Sequence, residues 1–168
     1  MTHGVFKSPE PTNEPICSFA PGTPERASLQ ATLASMKEEI LDIPVLAGGV
    51  ELRGGKVSEA TSPHNHSHVI ARYYEATEAE VAQAMDAAEA AREGWVDMPW
   101  EERAAIFLRA ADLLCGPWRD RINASTMLGQ SKTCHQAEID AACELADFWR
   151  YNVHYATQLY AEQPDSAP

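Results

Sequence analysis

Carboxylates recur at one-turn spacing in the segment 129–152, GQSKTCHQAEIDAACELADFWRYN, which predicts a long helix. Residues three and four apart are neighbours on a helix surface, so these side chains form one stripe. The stripe comprises Asp140, Glu144, Asp147, Tyr151 and His154. Like charges at this spacing repel by ~0.2–0.5 kcal/mol per pair, and a cationic ligand, an arginine from elsewhere or water must balance them. The stripe is either a ligand-facing surface or a solvated acidic face.

The same helix carries an apolar stripe about 100° away around its axis, which predicts the side that packs against the protein. Its members follow steps of three and four. They are Ile139, Ala142, Ala146, Trp149, Val153, Ala156 and Tyr160.

Three histidines alternate in the segment HNHSH, at His64, His66 and His68. On a strand, this spacing would place all three imidazoles on one face, where they could bind zinc or copper. No carboxylate or cysteine ligand lies within reach in the sequence, and Pro63 and Asn65 indicate a turn. We interpret the segment as a turn entering a strand and predict no metal site.

The four cysteines, Cys17, Cys115, Cys134 and Cys143, show neither CxxC nor zinc-finger spacing, which favours a reducing compartment. Cys115 and Cys143 fall in helical patterns and are predicted to be small core residues. Cys134 lies in the first turn of the long helix, where a thiol pKa can be lowered, but no partner base is identifiable. The residues alone therefore predict no catalytic nucleophile.

Composition excludes several classes of protein. The chain has 168 residues and is 45% hydrophobic, enough for one domain with a core. Its net charge of -12 would repel phosphate backbones, so we expect no nucleic-acid partner. No apolar run approaches the roughly 20 residues of a membrane span. The first residues resemble neither a secretory signal nor a mitochondrial presequence.

The remaining pattern is mostly helical. A proline-rich arm over 1–24 precedes a helix over 24–41, strands within 45–57 and a strand over 69–74. Thr77 and Glu80 form a capping box that opens the next helix, whose apolar face contains Val81, Ala84, Met85, Ala88, Ala91 and Trp95. A helix follows from Pro99, with its buried side predicted at Ala105, Leu108, Ala111, Leu114 and Cys115, or nearby Phe107. A shorter helix over 118–128 is predicted to end at Gly129.

Several of these segments resemble the amino-terminal region of the aldehyde dehydrogenase superfamily. The resemblance rests on AAEAAREGW, EERAAIFLRAADLL, GQSKT and AEIDAACELADFWRYN, in that order. A narrower resemblance, to members that oxidise L-glutamate γ-semialdehyde, rests on NEPICSFAPGTPER (13–26), SPHNHSH (62–68), AAIFLRAADLLCGPWR (104–119) and GQSKTCHQAEIDAACEL (129–145). In these motifs, His64 replaces an expected aromatic residue and Ser131 replaces an expected glycine.

The resemblance implies an α/β fold of the aldehyde dehydrogenase type. This chain would be its mostly helical amino-terminal segment with a few short strands, ahead of a Rossmann-like core. We expect two parts: an extended arm over 1–24, and the incomplete amino-terminal part of the dehydrogenase domain over 25–168.

The implied reaction is NAD-dependent oxidation of the amino-acid aldehyde to L-glutamate, in proline breakdown. The family's catalytic Cys, oxyanion Asn, base Glu and NAD-binding segments all lie beyond the matched region. None of the four cysteines occupies the catalytic position, so we expect no catalytic, cofactor-binding or metal residue in this chain. We expect the chain alone to be inactive, and the full-length enzyme to be a homo-oligomer in the cytoplasm, or in the mitochondrial matrix of a eukaryote.

One functional residue carries over from the resemblance. Glu144 matches the Glu that faces the aldehyde site in this group, where its carboxylate could contact the substrate's α-ammonium directly or through water. We therefore predict Glu144 as a substrate-binding residue. The alternative is a short, non-catalytic helical protein that docks on a full-length dehydrogenase subunit.

Overall fold

Helices dominate the computed structural model, which describes residues 6–162 and 164. The helices are α1 (Pro24–Glu38), α2 (Glu78–Asp97), α3 (Trp100–Cys115), α4 (Arg119–Gln130), α5 (Cys134–Ala137) and α6 (Glu144–Ala161). The strands are β1 (Leu41–Ile43), β2 (Val45–Ala47), β3 (Val50–Leu52), β4 (Val57–Ser62) and β5 (Asn65–Tyr74). The prediction of a mostly helical segment with a few short strands is confirmed.

The strands form two small sheets. One has the order β1-β5-β4, with β1 parallel and β4 antiparallel to β5. The other is the antiparallel hairpin β2-β3. Gly48 and Gly49 connect its strands with φ values of +58° and +79°. Residues other than glycine adopt such positive φ values only with strain. The Gly-Gly pair is therefore a hairpin turn, as its sequence indicates.

Strand boundaries differ from the sequence prediction in three places. The first helix ends at Glu38 rather than at residue 41, because Leu41–Ile43 pairs with β5. Strand β4 was not predicted, and β5 begins at Asn65 rather than at Val69. Strand formation depends on cross-strand pairing over long sequence separations, which local patterns do not reveal.

The capping box at the start of α2 is confirmed. The Thr77 hydroxyl accepts a hydrogen bond from the Glu80 amide at 3.2 Å, and the Glu80 carboxylate accepts one from the Thr77 amide at 2.8 Å. Glu80 also accepts a hydrogen bond from the Gly54 amide at 2.8 Å, which joins the loop between β3 and β4 to the helix. The apolar face of α2 remains uncovered by the described residues, since Val81, Met85 and Trp95 are exposed.

Helices α3 and α6 pack together around the best-formed core. Ala111 and Leu114 of α3 contact Ala146 of α6, with Trp149 packed against them. The predicted apolar stripe of the long helix is buried at Ala142, Ala146 and Val153. Tyr160 is exposed, although its ring stacks on Trp100. In α3, the predicted burial of Ala111 and Leu114 is confirmed, but that of Ala105 is wrong, because its neighbour Ala104 is buried instead.

The long helix contains a π-helical segment, Glu138–Cys143, between α5 and α6. A π-turn adds one residue to the helical repeat and changes which side chains share a face. The buried residues of this segment are Glu138, Ala142 and Cys143. The helical period predicted from the sequence contained no such interruption.

Helix α4 ends later than predicted. It runs to Gln130, and Ser131 rather than Gly129 takes the left-handed conformation that stops it, with φ of +55°. The Ser131 hydroxyl lies 2.8 Å from Nδ1 of His64. The two departures from the superfamily motifs are therefore in direct contact. The structure gives no functional reason for the pair.

Candidate functional site: a charged groove beside the long helix

A buried carboxylate, Glu138, organises the site. It begins the π-helical segment and has no exposed surface. One oxygen accepts hydrogen bonds from the Arg119 guanidinium at 2.5 Å and from the Cys17 amide at 2.7 Å. The other accepts one from Nδ2 of Asn123 at 2.7 Å. Glu138 thus ties α4 to the segment that precedes α1.

A second carboxylate, Glu14, joins the arm to two helices. The arm here means residues 6–23, which form neither helix nor strand. Glu14 lies 2.6 Å from Nη1 of Arg119 and 2.7 Å from Nη1 of Arg150. Both arginines and Glu14 are largely buried, so solvent screens these pairs less than surface pairs.

The sequence also predicts a domain boundary at the end of the arm, at residue 24. That boundary stays a prediction.

Both carboxylates are held in their charged form. Burial alone would raise the pKa of Glu138, but hydrogen bonds from Arg119, the Cys17 amide and Asn123 lower it below its usual value. For Glu14, burial likewise raises the pKa, and hydrogen bonds from Arg150 and Arg119 outweigh burial and lower it. The network is therefore fully ionised at neutral pH.

The arm also covers Asp147 on the outer face of α6. Asn13 donates from Nδ2 to Oδ2 of Asp147 at 2.7 Å, and the Glu14 amide donates to Oδ1 at 2.7 Å. The Tyr151 hydroxyl donates to Oδ1 of Asn13 at 3.2 Å. An arginine also lies near Asp147, since Nη1 of Arg150 is 4.0 Å from Oδ1.

A groove of about 680 Å³ runs between the arm and the long helix. Its walls are Asn13, Glu14, Ile16, Ile139, Cys143, Glu144, Asp147, Phe148, Tyr151, Asn152 and Tyr155. The predicted substrate-binding residue, Glu144, lines this groove and is exposed. The structure therefore brings Glu144, Asp147 and Tyr151 of the acidic stripe together on one surface.

The acidic stripe divides into paired and unpaired members. Asp140 forms an ion pair with Lys132 at 2.7 Å, and Asp147 is engaged by the arm. Among the residues that the structure describes, the Glu144 carboxylate has no hydrogen-bond or ion-pair partner. His154 lies apart from the groove walls, near Gln158 at 3.1 Å.

The cysteines do not form a nucleophilic site. Burial raises the pKa of Cys115 to about 11 and that of Cys143 to about 12. The pKa of Cys134 is also raised, by burial and by the nearby Glu138 charge. The interpretation of Cys134 as an unactivated thiol fits this environment, because reactive cysteines have lowered pKa values.

Two of the histidines of HNHSH, His64 and His68, contact different partners. His64 lies in the turn between β4 and β5 beside Ser62 and Ser131. His68, in β5, bonds through Nε2 to the Lys37 carbonyl at 2.9 Å. Over residues 6–162 and 164, no group of three potential metal ligands comes together.

The described residues do not fit a dinucleotide site. Such a site follows a parallel strand with a glycine-rich turn that opens a helix. Here the chain from β5 to α2 reads Glu75-Ala76-Thr77, without glycine, and β1-β5 is the one parallel pair in the described part.

Over the described residues, no helix has the length and apolar character to span a bilayer.

Sequence reasoning assigned no role to Glu14, Arg119, Asn123 or Glu138. Glu14 and Arg119 stood inside the motifs of the superfamily resemblance, but no spacing rule links residues more than 100 positions apart. Glu138 lies next to the predicted apolar stripe, and its burial depends on Arg119 and Cys17 meeting it from other elements.

Comparison with known proteins defines the class. The sequence profile of the Aldehyde dehydrogenase family matches residues 51–167. The chain belongs to this family.

The relatives it matches are more specific. Delta-1-pyrroline-5-carboxylate dehydrogenase of Agaricus bisporus is 48% identical over 161 residues, which are 95% of this chain and 30% of that enzyme. The human mitochondrial enzyme of that name is 46% identical over 156 residues, 93% of this chain and 28% of the human one. The chain therefore spans about 30% of the length of these relatives.

Solved structures show the same similarity. The Delta-pyrroline-5-carboxylate dehydrogenase of Mycobacterium tuberculosis superposes with a TM-score of 0.95 at 47% identity, covering 99% of this chain and 31% of that one. A 1-pyrroline-5-carboxylate dehydrogenase from Thermus, described with bound NAD, gives 0.82 at 28% identity, covering 100% of this chain and 32% of that one. The aldehyde dehydrogenase-like fold predicted from the motifs is confirmed.

Proposed function

We propose that this chain is the amino-terminal portion of an NAD-dependent dehydrogenase that oxidises L-glutamate γ-semialdehyde to L-glutamate in proline breakdown. The family match and the names of the relatives support this proposal. The chain alone does not catalyse the reaction. The longer enzyme acts as a homo-oligomer, in the mitochondrial matrix of a eukaryote or in the cytoplasm of a bacterium.

Glu144 binds the substrate's α-ammonium in this proposal. The observation that carries the proposal is the pairing of the carboxylates in the groove. Three carboxylates line it, those of Glu14, Glu144 and Asp147. Glu14 is paired with arginines and Asp147 with the arm. Glu144 alone has no partner among the described residues, so its charge is available to a cationic ligand.

The groove can orient the substrate as well as attract it. An ammonium on Glu144 makes a charge-assisted hydrogen bond, which fixes one end of an amino-acid aldehyde. Ile139 and Phe148 line the same groove and provide apolar surface for the methylene carbons between the ammonium and the aldehyde. Holding a reactant in one orientation lowers the entropic barrier to the reaction.

The oxidation itself belongs to other parts of the enzyme. NAD, when bound, accepts the hydride, and the described residues of this chain do not fit a site for it. The four thiols here have raised pKa values and are poor nucleophiles. This chain's contribution is to bind and position the substrate.

A chimeric enzyme tests the proposal. Residues 1–168 replace the matched stretch of the Agaricus bisporus relative, and Glu144→Gln is compared with the native chimera. We expect the KM for glutamate semialdehyde to rise roughly tenfold or more, because a hydrogen bond to a charged group contributes about 1.5–3 kcal/mol. The KM for 5-oxopentanoate, the same aldehyde without the ammonium, should stay unchanged.

Asp140→Asn is the matched control, one turn away on the same stripe and paired with Lys132 outside the groove walls. It should leave both KM values unchanged. An equal effect of Glu144→Gln on the two aldehydes would contradict the ammonium contact.

Exposed apolar side chains favour a second candidate function, a short helical protein that docks on a full-length dehydrogenase subunit. Leu46 of the hairpin is 70% exposed and Met85 of α2 is 68% exposed. Such surfaces mark contacts with other protein. Purification of an 18.4 kDa chain together with an intact subunit would support this candidate.

A further inference from the structure

We propose that Asn13 of the arm determines the charge specificity of the groove by keeping Asp147 occupied. The inference rests on the proposed function, in which Glu144 receives the substrate's ammonium. Asn13 is a positioning residue: it acts through Asp147 and leaves one free carboxylate for a substrate with one ammonium.

Both ends of the Asn13 amide are hydrogen-bonded to residues of α6. Its Nδ2 donates to Oδ2 of Asp147 at 2.7 Å, and its Oδ1 accepts from the Tyr151 hydroxyl at 3.2 Å. Oδ1 of Asp147 is engaged separately, by the Glu14 amide at 2.7 Å. Asn13 is therefore the one described donor to Oδ2, the oxygen that would otherwise be free in the groove.

The arm does not depend on Asn13 for its position. Glu14 is held by Arg119 and Arg150 at 2.6 and 2.7 Å, and the Cys17 amide is held by the buried Glu138 at 2.7 Å. A short side chain at position 13 removes the amide while these anchors remain. Asp147 is mostly buried, yet it lines the groove, so removal of the amide leaves a carboxylate oxygen without its donor in the groove wall.

Removal of the amide should therefore create a second cation site. In the native chain, a small ammonium ion meets one unpaired groove carboxylate. In Asn13→Ala it meets two, because Oδ2 of Asp147 has lost its donor. A merely structural role for Asn13 predicts the opposite, a weakening of every interaction in the groove.

The test uses the 168-residue chain labelled with ¹³C at the side-chain carboxylates of Asp and Glu. Methylammonium chloride is the probe, sodium chloride keeps the ionic strength constant, and Glu144→Gln and Asp147→Asn assign the two signals. In the native chain, we expect the Glu144 signal to shift with methylammonium while the Asp147 signal stays still. In Asn13→Ala, both signals should shift, with methylammonium bound at least threefold more tightly.

Two further variants sharpen the result. Asn13→Leu keeps a side chain branched at Cγ without its amide and should behave like Asn13→Ala. Thr12→Ala changes the neighbouring, exposed position and should behave like the native chain.

The inference is overturned if the Asp147 signal already shifts in the native chain, or stays still in both Asn13 variants. The Glu144 signal separates the two claims. Its failure to shift in the native chain would contradict the ammonium contact of the proposed function, while the Asp147 signal would still decide the role of Asn13.

Discussion

At the scale of single residues, the buried Glu138 carboxylate links distant parts of the chain through hydrogen bonds and an ion pair. Its oxygens accept hydrogen bonds from Arg119, Asn123 and the Cys17 amide, and a longer one from the Cys143 thiol at 3.8 Å, and it has no contact with solvent. A carboxylate removed from water is stabilised only if its charge is paired and its oxygens are hydrogen-bonded. Both conditions are met here, so the carboxylate joins three parts of the chain that are distant in sequence.

Glu138→Ala should be strongly destabilising. It leaves the largely buried Arg119 with only Glu14 as a carboxylate partner, and breaking a buried pair costs about 3–5 kcal/mol. Urea unfolding measures the change in the free energy of unfolding. Asp140→Ala, which removes an exposed pair with Lys132, should cost less than about 1 kcal/mol. Similar losses for the two variants would contradict the buried network.

The same network makes stability depend on pH. The pKa values of Glu138 and Glu14 are lowered in the folded chain, so their stabilisation is present above the unfolded pKa of roughly 4.3. It is lost as the pH falls through the lowered pKa values. We expect the free energy of unfolding to drop more steeply from pH 5 to pH 3 in the native chain than in Glu138→Gln. Parallel curves would show that Glu138 is not ionised in the fold.

The thiols of the half-buried Cys115 and the buried Cys143 should react slowly. The pKa of Cys115 rises from 9.0 to about 11, which lowers its thiolate fraction roughly 100-fold at pH 8. Alkylation by iodoacetamide, followed by peptide mass spectrometry, should modify Cys115 and Cys143 at least 100-fold more slowly in the folded chain than in urea. Rapid labelling of either in the folded chain would contradict the burial.

At the scale of elements, the helices and the β2-β3 hairpin were predictable, while β1 and β4 were not. The capping box of Thr77 and Glu80 predicts the start of α2, and the steps of three and four predict the buried side of α6. Strands β1 and β4 exist because β5 pairs with both, across separations that no local pattern records. The π-helical turn at Glu138–Cys143 was likewise missed, because the burial of Glu138 depends on tertiary partners.

The cap of α2 provides a test at this scale. Thr77→Ala removes the hydroxyl that accepts from the Glu80 amide and should lower the free energy of unfolding by about 1 kcal/mol. Thr77→Ser keeps an accepting hydroxyl and should lower the free energy of unfolding by only a few tenths of a kcal/mol. Urea unfolding of both variants gives the comparison, and equal losses would show that the hydrogen bond does not stabilise the helix.

The candidate site was predicted only in part. The resemblance singled out Glu144, and the acidic stripe placed Asp147 and Tyr151 beside it. The arm was expected to run over the surface, but its role as one wall of the groove was not predicted. That role depends on Glu14 reaching Arg119 and Arg150, whose positions are fixed only in the folded chain.

At the scale of the whole molecule, uncovered apolar surface and partial coverage of the relatives have one common explanation. The side chains of Leu46 in β2 and of Val81 and Met85 in α2 are exposed in the described part of the chain. The matched relatives are more than three times longer than the matched stretch. A longer polypeptide would provide both the covering surfaces and the catalytic machinery.

We propose that this chain works as part of a longer dehydrogenase. The most direct measurement is the mass of the native protein in an extract of its source, detected with an antibody against residues 129–152. We expect a polypeptide about three times heavier than 18.4 kDa. A polypeptide of 18.4 kDa alone would contradict it and would direct attention to a short protein that docks on a separate subunit.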